Sequence, residues 1–558
     1  MEKRTILAFV LSFMVLLIWM QFSARKPVTS VDENKIAEEQ VDKDVKSVGS
    51  TQIQPQANQN EDQNQDEKIL STSEEEEKII TVETPLYIAT FSSRGPSLTG
   101  IKLKKYRTTV EPDSPPVEIF TAQEYLKNYV SFYFNTLNIK NRNNLVFTTD
   151  KDSIVLGQNQ EREDISFRYK TPDGITLEQV FSFSSEGYDI SVKISLMNQS
   201  GDPIQGNIES VINDLPPTTK GRYYSFTGAA VYLDNELKDF KPGKLDDKKK
   251  PDLTGNIDWF AYENDYFISA VAPEETKESR FTGLLQPSGV VTATHFSAPI
   301  ELPSFSEISK KYSLFLGPKD ISIIEKFGHK LDKAIDYGFF SIIAGPLHYV
   351  LNFFNRFLHN YGFSIILLTI IIKIIFWPLT HKSQKSMKEM QKLQPLMAKI
   401  REKYKDNREM MNKELMGLYR TYKVNPMSGC LPMLIQIPVF FALYRVLGSS
   451  IELRHAPFAL WINDLSAPDR LFNFPFSIPF MDPPYGIPVL TLLMGASMFL
   501  QQKLQPMVGD PSQAKIMMFM PIMFTVMFIN FPSGLVVYWL TQNILSIGQQ
   551  YYINKKSD

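Results

Sequence analysis

The stretch YGFSIILLTIIIKIIFWPLT, residues 361–380, carries a single charge, Lys373, in an otherwise uncharged apolar run. A backbone that apolar must satisfy its own hydrogen bonds, and a run of this length matches the thickness of a bilayer when it is helical. Four further hydrophobic segments follow, near 430–447, 487–500, 516–531 and 533–547, several of them close to the lower length limit. One more precedes them at 5–22, behind Lys3 and Arg4. Bulky or polar Trp19, Met20, Gln21 and Phe22 fit a signal cleavage site poorly, so residues 1–24 are expected to be a retained transmembrane anchor. The expected fold is therefore an α-helical polytopic membrane protein with six transmembrane helices.

Charge placement orients those spans. Between residues 379 and 426 there are 12 Lys and Arg against 5 acids, which marks a cytoplasmic loop. The 448–485 segment holds only Arg454 and Arg470 against four acids, as an outer loop should. Six spans then leave both ends cytoplasmic, including a short tail at 553–558. Within the basic loop, Met387, Met390, Leu393, Met397, Ile400 and Tyr404 recur at helical spacing. After a turn at Asp406 and Asn407, so do Met411, Leu415, Leu418 and Tyr422. Residues 380–426 thus read as a helical hairpin standing off the membrane. Its cations, Lys385, Lys388, Lys392, Lys399, Arg401, Lys403, Lys405 and Arg408, either are simply solvated or dock ribosomal RNA, acidic lipid or a targeting factor.

The segment between anchor and core changes texture twice. Residues 25–78 form an acidic linker: 27–78 lacks aromatics, and 31–78 holds 14 acids against 5 bases, too polar to repay the entropy of ordering. From 79 to 318, alternating runs such as TLEQVFSFS (176–184), YDISVKISLM (188–197) and KKYSLFLG (310–317) predict a large all-β periplasmic sandwich. Asp258, Trp259 and Glu263 are residue types that a carbohydrate-active sandwich would use, although scattered carboxylates and aromatics are ordinary in 240 residues. Residues 319–360 read as a connector and an amphipathic helix in the outer interface, with apolar residues around His348, Asn352, Asn355 and Arg356. The 361–552 block is the core with five transmembrane helices.

Chemistry-bearing motifs are few. Cys430 is the sole cysteine, the six histidines are widely spaced, and no phosphate-binding glycine loop occurs, so neither metal, cofactor nor nucleotide hydrolysis is expected. A net charge of -2 gives no general affinity for DNA. What stands out is Lys373. A lysine at that depth costs several kcal/mol unless it meets water or protein. It either snorkels to the cytoplasmic headgroups or faces a hydrophilic cavity that Thr369, Gln436, Asn530, Gln542 and Asn543 would line, none of which is a carboxylate.

Four motifs, GFSII…PLT (362–380), KVNPMSGCLPMLIQIPVFFALY (423–444), APFALWINDLSAPD (456–469) and FPSGLVVYW (531–539), resemble the YidC family of bacterial membrane protein insertases. The earlier FSSRG (91–95) is similar to the start of that family's large periplasmic domain. The resemblance implies a β-supersandwich and a five-helix insertase core with a hydrophilic groove open to cytoplasm and lipid, in a Gram-negative-type inner membrane. It also implies a groove cation at Lys373, where the family carries arginine, and groove or client-contact roles for Thr369, Gln436, Phe440, Met527, Tyr538 and Trp539. Asn530 joins them from the polar inventory. The implied function is insertion and folding of nascent membrane proteins, alone or with the Sec translocon and its accessory subunits. A secondary transporter would show inverted repeats, and a membrane-anchored carbohydrate-active enzyme would show a convergent nucleophile and base; neither pattern is visible.

Overall fold

The computed structural model describes residues 76–556, apart from 121–125, 127, 137–144, 159, 161, 218–225, 246–249, 425–430 and 505–510. The expected anchor (1–24) and nearly all of the expected linker (25–78) lie outside the described residues.

The alternation read from the sequence becomes two large sheets. Ile175–Ser184 is a strand whose residues are alternately buried and half-buried along its whole length, as a strand with one face on a core must be. It pairs antiparallel with Arg162–Lys170 and with Asp189–Asn198. The same sheet continues through Ser306–Pro318, Phe267–Pro273 and the second half of Asp252–Glu263 to Gly228–Leu233 and Glu236–Phe240. The other sheet runs from Ser153–Val155 through Ile79–Glu83, Tyr87–Ser92, Ser97–Arg107, Val130–Asn135 and Ile204–Asp214 to Val291–Phe296 and Glu278–Leu285. It ends on the first half of Asp252–Glu263, so that one strand serves both sheets. All these pairings are antiparallel except that of Ser153–Val155 with Ile79–Glu83. Between the sheets Phe91, Phe132, Phe167, Phe183, Phe260, Phe281 and Phe315 are essentially fully buried, which gives the domain a core of its own.

The candidate sugar-site residues are spent on this architecture. Trp259 is buried, stacked on Tyr232, and donates to the Lys330 carbonyl. Asp258 pairs with Lys330 at 3.2 Å, and Glu263 is buried against Lys319 at 2.8 Å. Burial outweighs that lysine and pushes the Glu263 carboxyl above its ordinary range.

A connector helix α1 (Ile321–Phe327), capped by Asp320, leads out of the β-domain. Next comes α2 (Ser341–Leu358), which exposes Tyr349, Phe353 and Phe357 on one face and buries Ala344, His348 and Leu351 on the other. His348 is held by the Tyr337 hydroxyl at 2.7 Å and by Asn352 at 3.1 Å, and lies 3.4 Å from Glu452.

The helical core follows: α3 (Tyr361–Lys392), α4 (Gln394–Lys403), α5 (Arg408–Thr421), α6 (Leu431–Ser449), α7 (Val489–Leu504), α8 (Pro511–Phe528) and α9 (Ser533–Lys556). Helix α3 starts under the Asn360 cap and runs 32 residues, straight past Pro378 and the expected end of the span. The first arm of the expected hairpin is thus a continuation of α3 and then α4, with the break at Leu393 ahead of Pro395. Asn407 caps α5 at the expected turn. Leu393, Met397 and Leu415 form a small separate core between α4 and α5. Among the described residues α3 alone is long and apolar enough to cross a bilayer by length and composition, with shorter apolar stretches at Ile435–Ser449 and Met518–Phe528. The membrane region is helical, but the expected count of six spans does not follow from helix length: α7, at 16 residues, rises about 24 Å against a hydrocarbon core of about 30 Å.

Candidate functional site

Polar residues on α9 set the site. Tyr538, Gln542, Ser546 and Gln549 follow one another at intervals of four, four and three residues, which places them on one face of the helix. Each is met by a polar partner from another helix or by the buried lysine. Gln436 of α6 donates to the Tyr538 hydroxyl at 2.7 Å and accepts from Gln542 at 3.0 Å. Lys373 of α3 donates to Ser546 Oγ at 2.7 Å, and that hydroxyl donates onward to the Gln542 carbonyl at 2.8 Å. Gln549 donates to Thr380 of α3 at 3.0 Å. Asn543, on the adjoining face, donates to Ser497 of α7 at 2.9 Å.

Lys373 is 5% exposed, so its ammonium is turned into the bundle. No carboxylate lies within 4 Å of it among the described residues, and its one described hydrogen-bond partner is a neutral hydroxyl. A buried cation satisfied by one serine is electrostatically incomplete, because its remaining donors call for acceptors and its charge for a counter-charge. Gln542 Oε1, on the same face of α9, is buried without a partner among the described residues.

Toward the other end of α6, an aromatic cluster adjoins this polar ladder. The Phe440 ring stands edge-on to Trp539 at 5.1 Å and lies 5.9 Å from Phe528, while Phe524 and Phe528 also contact Trp539. Met527 packs against the helical core to which this cluster belongs. Thr369 is fully buried and its hydroxyl returns to the Ile365 carbonyl at 2.6 Å, so it contributes packing rather than a free polar group.

A cap formed by residues 450–488 covers the ends where α6 and α7 meet the α8–α9 turn. Ser533 and Gly534 donate backbone N–H groups to Ala467 and Leu465, and Pro468 bridges Pro532. Asp469 receives the Trp461 indole at 2.7 Å and the backbone N–H groups of Leu490 and Thr491, which caps α7. Asn530 belongs here. Its side chain accepts from Asp482 N and from Arg470, and donates to the Phe480 carbonyl. The structure therefore joins Lys373, Gln436 and Tyr538 in one ladder and Phe440 and Trp539 in one cluster, with Met527 packed against the same helical core, while Asn530 sits apart in the cap and Thr369 in the packed core. Ser546, the direct partner of Lys373, was missed; its register with Tyr538 and Gln542 was the available signal.

Of the cations of the expected hairpin, Lys385, Lys392, Lys399, Lys403 and Lys405 are exposed, Lys388 and Arg401 half-buried, and Arg408 opens α5. Lys392 pairs with Glu389 at 3.0 Å, and Lys403 lies over the Tyr404 ring.

A helical core containing one helix able to cross a bilayer, a buried lysine with no carboxylate partner among the described residues, a cap over one end and a large two-sheet β-domain define a membrane protein with a helical membrane region and a β-sandwich domain. Comparison with known proteins narrows this. A model described as the 60Kd inner membrane protein matches residues 353–558, and one described as the YidC periplasmic domain matches residues 79–350. The membrane protein insertase YidC of Syntrophobacter fumaroxidans is 44% identical over 85% of this chain and 86% of its own. Its counterpart in Pelobacter propionicus is 40% identical over 100% of this chain and 99% of its own. Among solved structures, a YidC insertase with its first transmembrane domain resolved aligns over 85% of this chain and 95% of its own, at 19% identity and a TM-score of 0.36. A galactose mutarotase related enzyme from Lactobacillus acidophilus aligns over 43% of this chain at a TM-score of 0.31. The chain belongs to the YidC membrane protein insertase family.

Proposed function

We propose that the chain inserts nascent membrane proteins by offering the Lys373 ladder to the polar, often acidic, flank of a client. The buried ammonium, whose one hydrogen-bond partner among the described residues is Ser546, carries this reading. A client carboxylate that displaces the serine supplies the missing counter-charge, so the flank is held at membrane depth at lower cost. The client's hydrophobic segment then passes the Phe440, Met527 and Trp539 side into lipid, and burial of its apolar surface drives the step at about 25 cal/mol per Å². A membrane potential positive outside adds about 2.3 kcal/mol per negative charge per 100 mV for an acidic flank moving outward. No nucleotide and no cofactor enters this scheme, and the activity is not enzymatic.

In the same reading, six spans place both ends in the cytoplasm and the β-domain in the periplasm of a bacterial inner membrane. The cap seals the outer end, and the basic face of α3, α4 and α5 meets the ribosome, a targeting factor or lipid. The protein works alone or with the Sec translocon and its accessory subunits. The test is insertion of a client with an acidic amino-terminal flank into proteoliposomes containing this protein alone, read by protease protection. Lys373→Arg should retain insertion, Lys373→Ala should lose roughly tenfold, and Lys373→Glu should lose most, since about 1.4 kcal/mol is a factor of ten and the Glu variant repels the flank. Equal insertion by all variants would remove Lys373 from the mechanism.

A further inference from the structure

Within the cap, residues 471–487 form an arm that neither the polar ladder nor the aromatic cluster uses. Its two short strands, Leu471–Phe474 and Tyr485–Ile487, pair antiparallel. The arm presents Phe472, Phe476 and Phe480 at 66%, 59% and 79% exposure, and Leu460, earlier in the cap, is 87% exposed. Asp482 is the single charge from Leu471 to Gln502. A solvent-facing aromatic cluster with so little charge is a liability in water unless something covers it.

The presentation is built into the backbone. Leu460, Phe472 and Phe480 hold φ of 58°, 62° and 63°, the left-handed region that bulky side chains avoid. Pro475, Pro479, Pro483 and Pro484 stiffen the arm. Arg470 clamps its base by donating to the Pro484, Asp469 and Ile529 carbonyls at 2.8 Å each, and Asn530 holds both Asp482 N and the Phe480 carbonyl. Rigid support of outward-facing phenylalanines is the opposite of a collapsed loop.

We propose that this arm is a lipid anchor, with Phe472, Phe476 and Phe480 inserted at the boundary between headgroups and acyl chains of the outer leaflet. Continuity with the helical core selects lipid as the occupant. Pro488 alone separates the second strand from α7, and Arg470 and Asn530 tie the base of the arm to the turn between α8 and α9. The arm therefore starts at the level where α6, α7, α8 and α9 end, the depth at which aromatic belts lie. Uncharged aromatic side chains suit that boundary, whereas a protein-docking surface of this size would carry a polar rim. The anchor fixes the height of the cap, and so of the closed end of the groove, relative to the bilayer. This inference rests on the reading that α6 and α7 cross the membrane.

The native chain has one cysteine, so a Cys430→Ser background accepts single nitroxide labels at 472, 476 and 480 in phosphatidylethanolamine and phosphatidylglycerol vesicles. Exposed Lys105 on the β-domain serves as the aqueous control and exposed Phe499 on α7 as the span control. At 472, 476 and 480 relaxation by lipid-soluble oxygen should exceed relaxation by an aqueous nickel chelate several-fold, as at 499 and opposite to 105. Dominance of the chelate at the three arm positions, or protection from both relaxers by a covering protein surface, overturns the anchor. If 499 itself is chelate-accessible, the span reading fails first and the two failures are told apart.

Discussion

At the scale of single residues, Ser546 is the described hydrogen-bond partner of the buried Lys373 ammonium. Removing its hydroxyl in Ser546→Ala leaves Lys373 without its described partner, which should cost about 1–3 kcal/mol of stability in detergent without abolishing insertion. Ser546→Asp does the reverse: an internal carboxylate pairs with Lys373 and competes with the client flank, so insertion of an acidic client should fall roughly tenfold while thermal stability holds. Insertion unaffected by Ser546→Asp would mean that the client never reaches the lysine. His295 carries a separate prediction. It is fully buried, stacked on Phe260, and neither ring nitrogen has a partner. Burial pushes its pKa down from 6.5 to about 4. The unfolded chain therefore binds a proton that the folded one refuses, and this part of the stability, complete above pH 6.5, is lost as pH falls toward 4. His295→Phe should flatten the acid-side decline of the thermal midpoint, on the order of 3 kcal/mol at its fullest extent. An unchanged pH slope would show that His295 is not the group responsible.

At the scale of elements, legibility followed periodicity. The strands at Ile175–Ser184 and Asp189–Asn198 were readable because alternation is a local property, and so was the turn before α5, where Asn407 is a strong capping residue. The end of α3 was not, since Pro378 looks like a terminator while a long helix tolerates it, and the real break waits for Leu393 and Pro395. Asn530 reads from sequence as one more polar group within a span; only the fold shows it bonded to Asp482 and Phe480, far along the chain. The arm at 471–487 escaped notice because its phenylalanines and prolines show neither a helical nor a sustained alternating period. Lys373 was legible as an anomaly of depth, but its serine, on another helix 173 positions away, could be found only by combining the α9 stripe with the three-dimensional arrangement.

At the scale of the whole molecule, the question is how a large β-domain is set on a small helical core, and Arg454 and Ile451 of the cap both reach into it. Arg454 donates to the carbonyls of Arg107 and Thr108 at 2.7 and 3.2 Å, and its guanidinium lies 5.8 and 5.7 Å from the ring centres of Tyr266 and Phe267. Beside it Ile451 is buried in the core cluster of the β-domain rather than in that of the helices. The planar fork suits two neighbouring carbonyls and a stacked face at once, which an ammonium cannot reproduce. Arg454→Ala should therefore release the β-domain as a body while its two sheets stay intact, and Arg454→Lys should fall between, because hydrogen bonds from a charged donor are worth about 1.5–3 kcal/mol each. The readout is limited proteolysis of the connector at 319–340, expected to accelerate several-fold in Arg454→Ala, alongside an unchanged thermal midpoint for the β-domain. Insertion of a small acidic-flank client should persist, because the Lys373 ladder lies in the helical core; a larger translocated domain would test whether the β-domain must be held in place. Connector cleavage at the wild-type rate would show that Ile451 and the chain connection alone suffice to seat the domain, and that Arg454 is dispensable to the assembly.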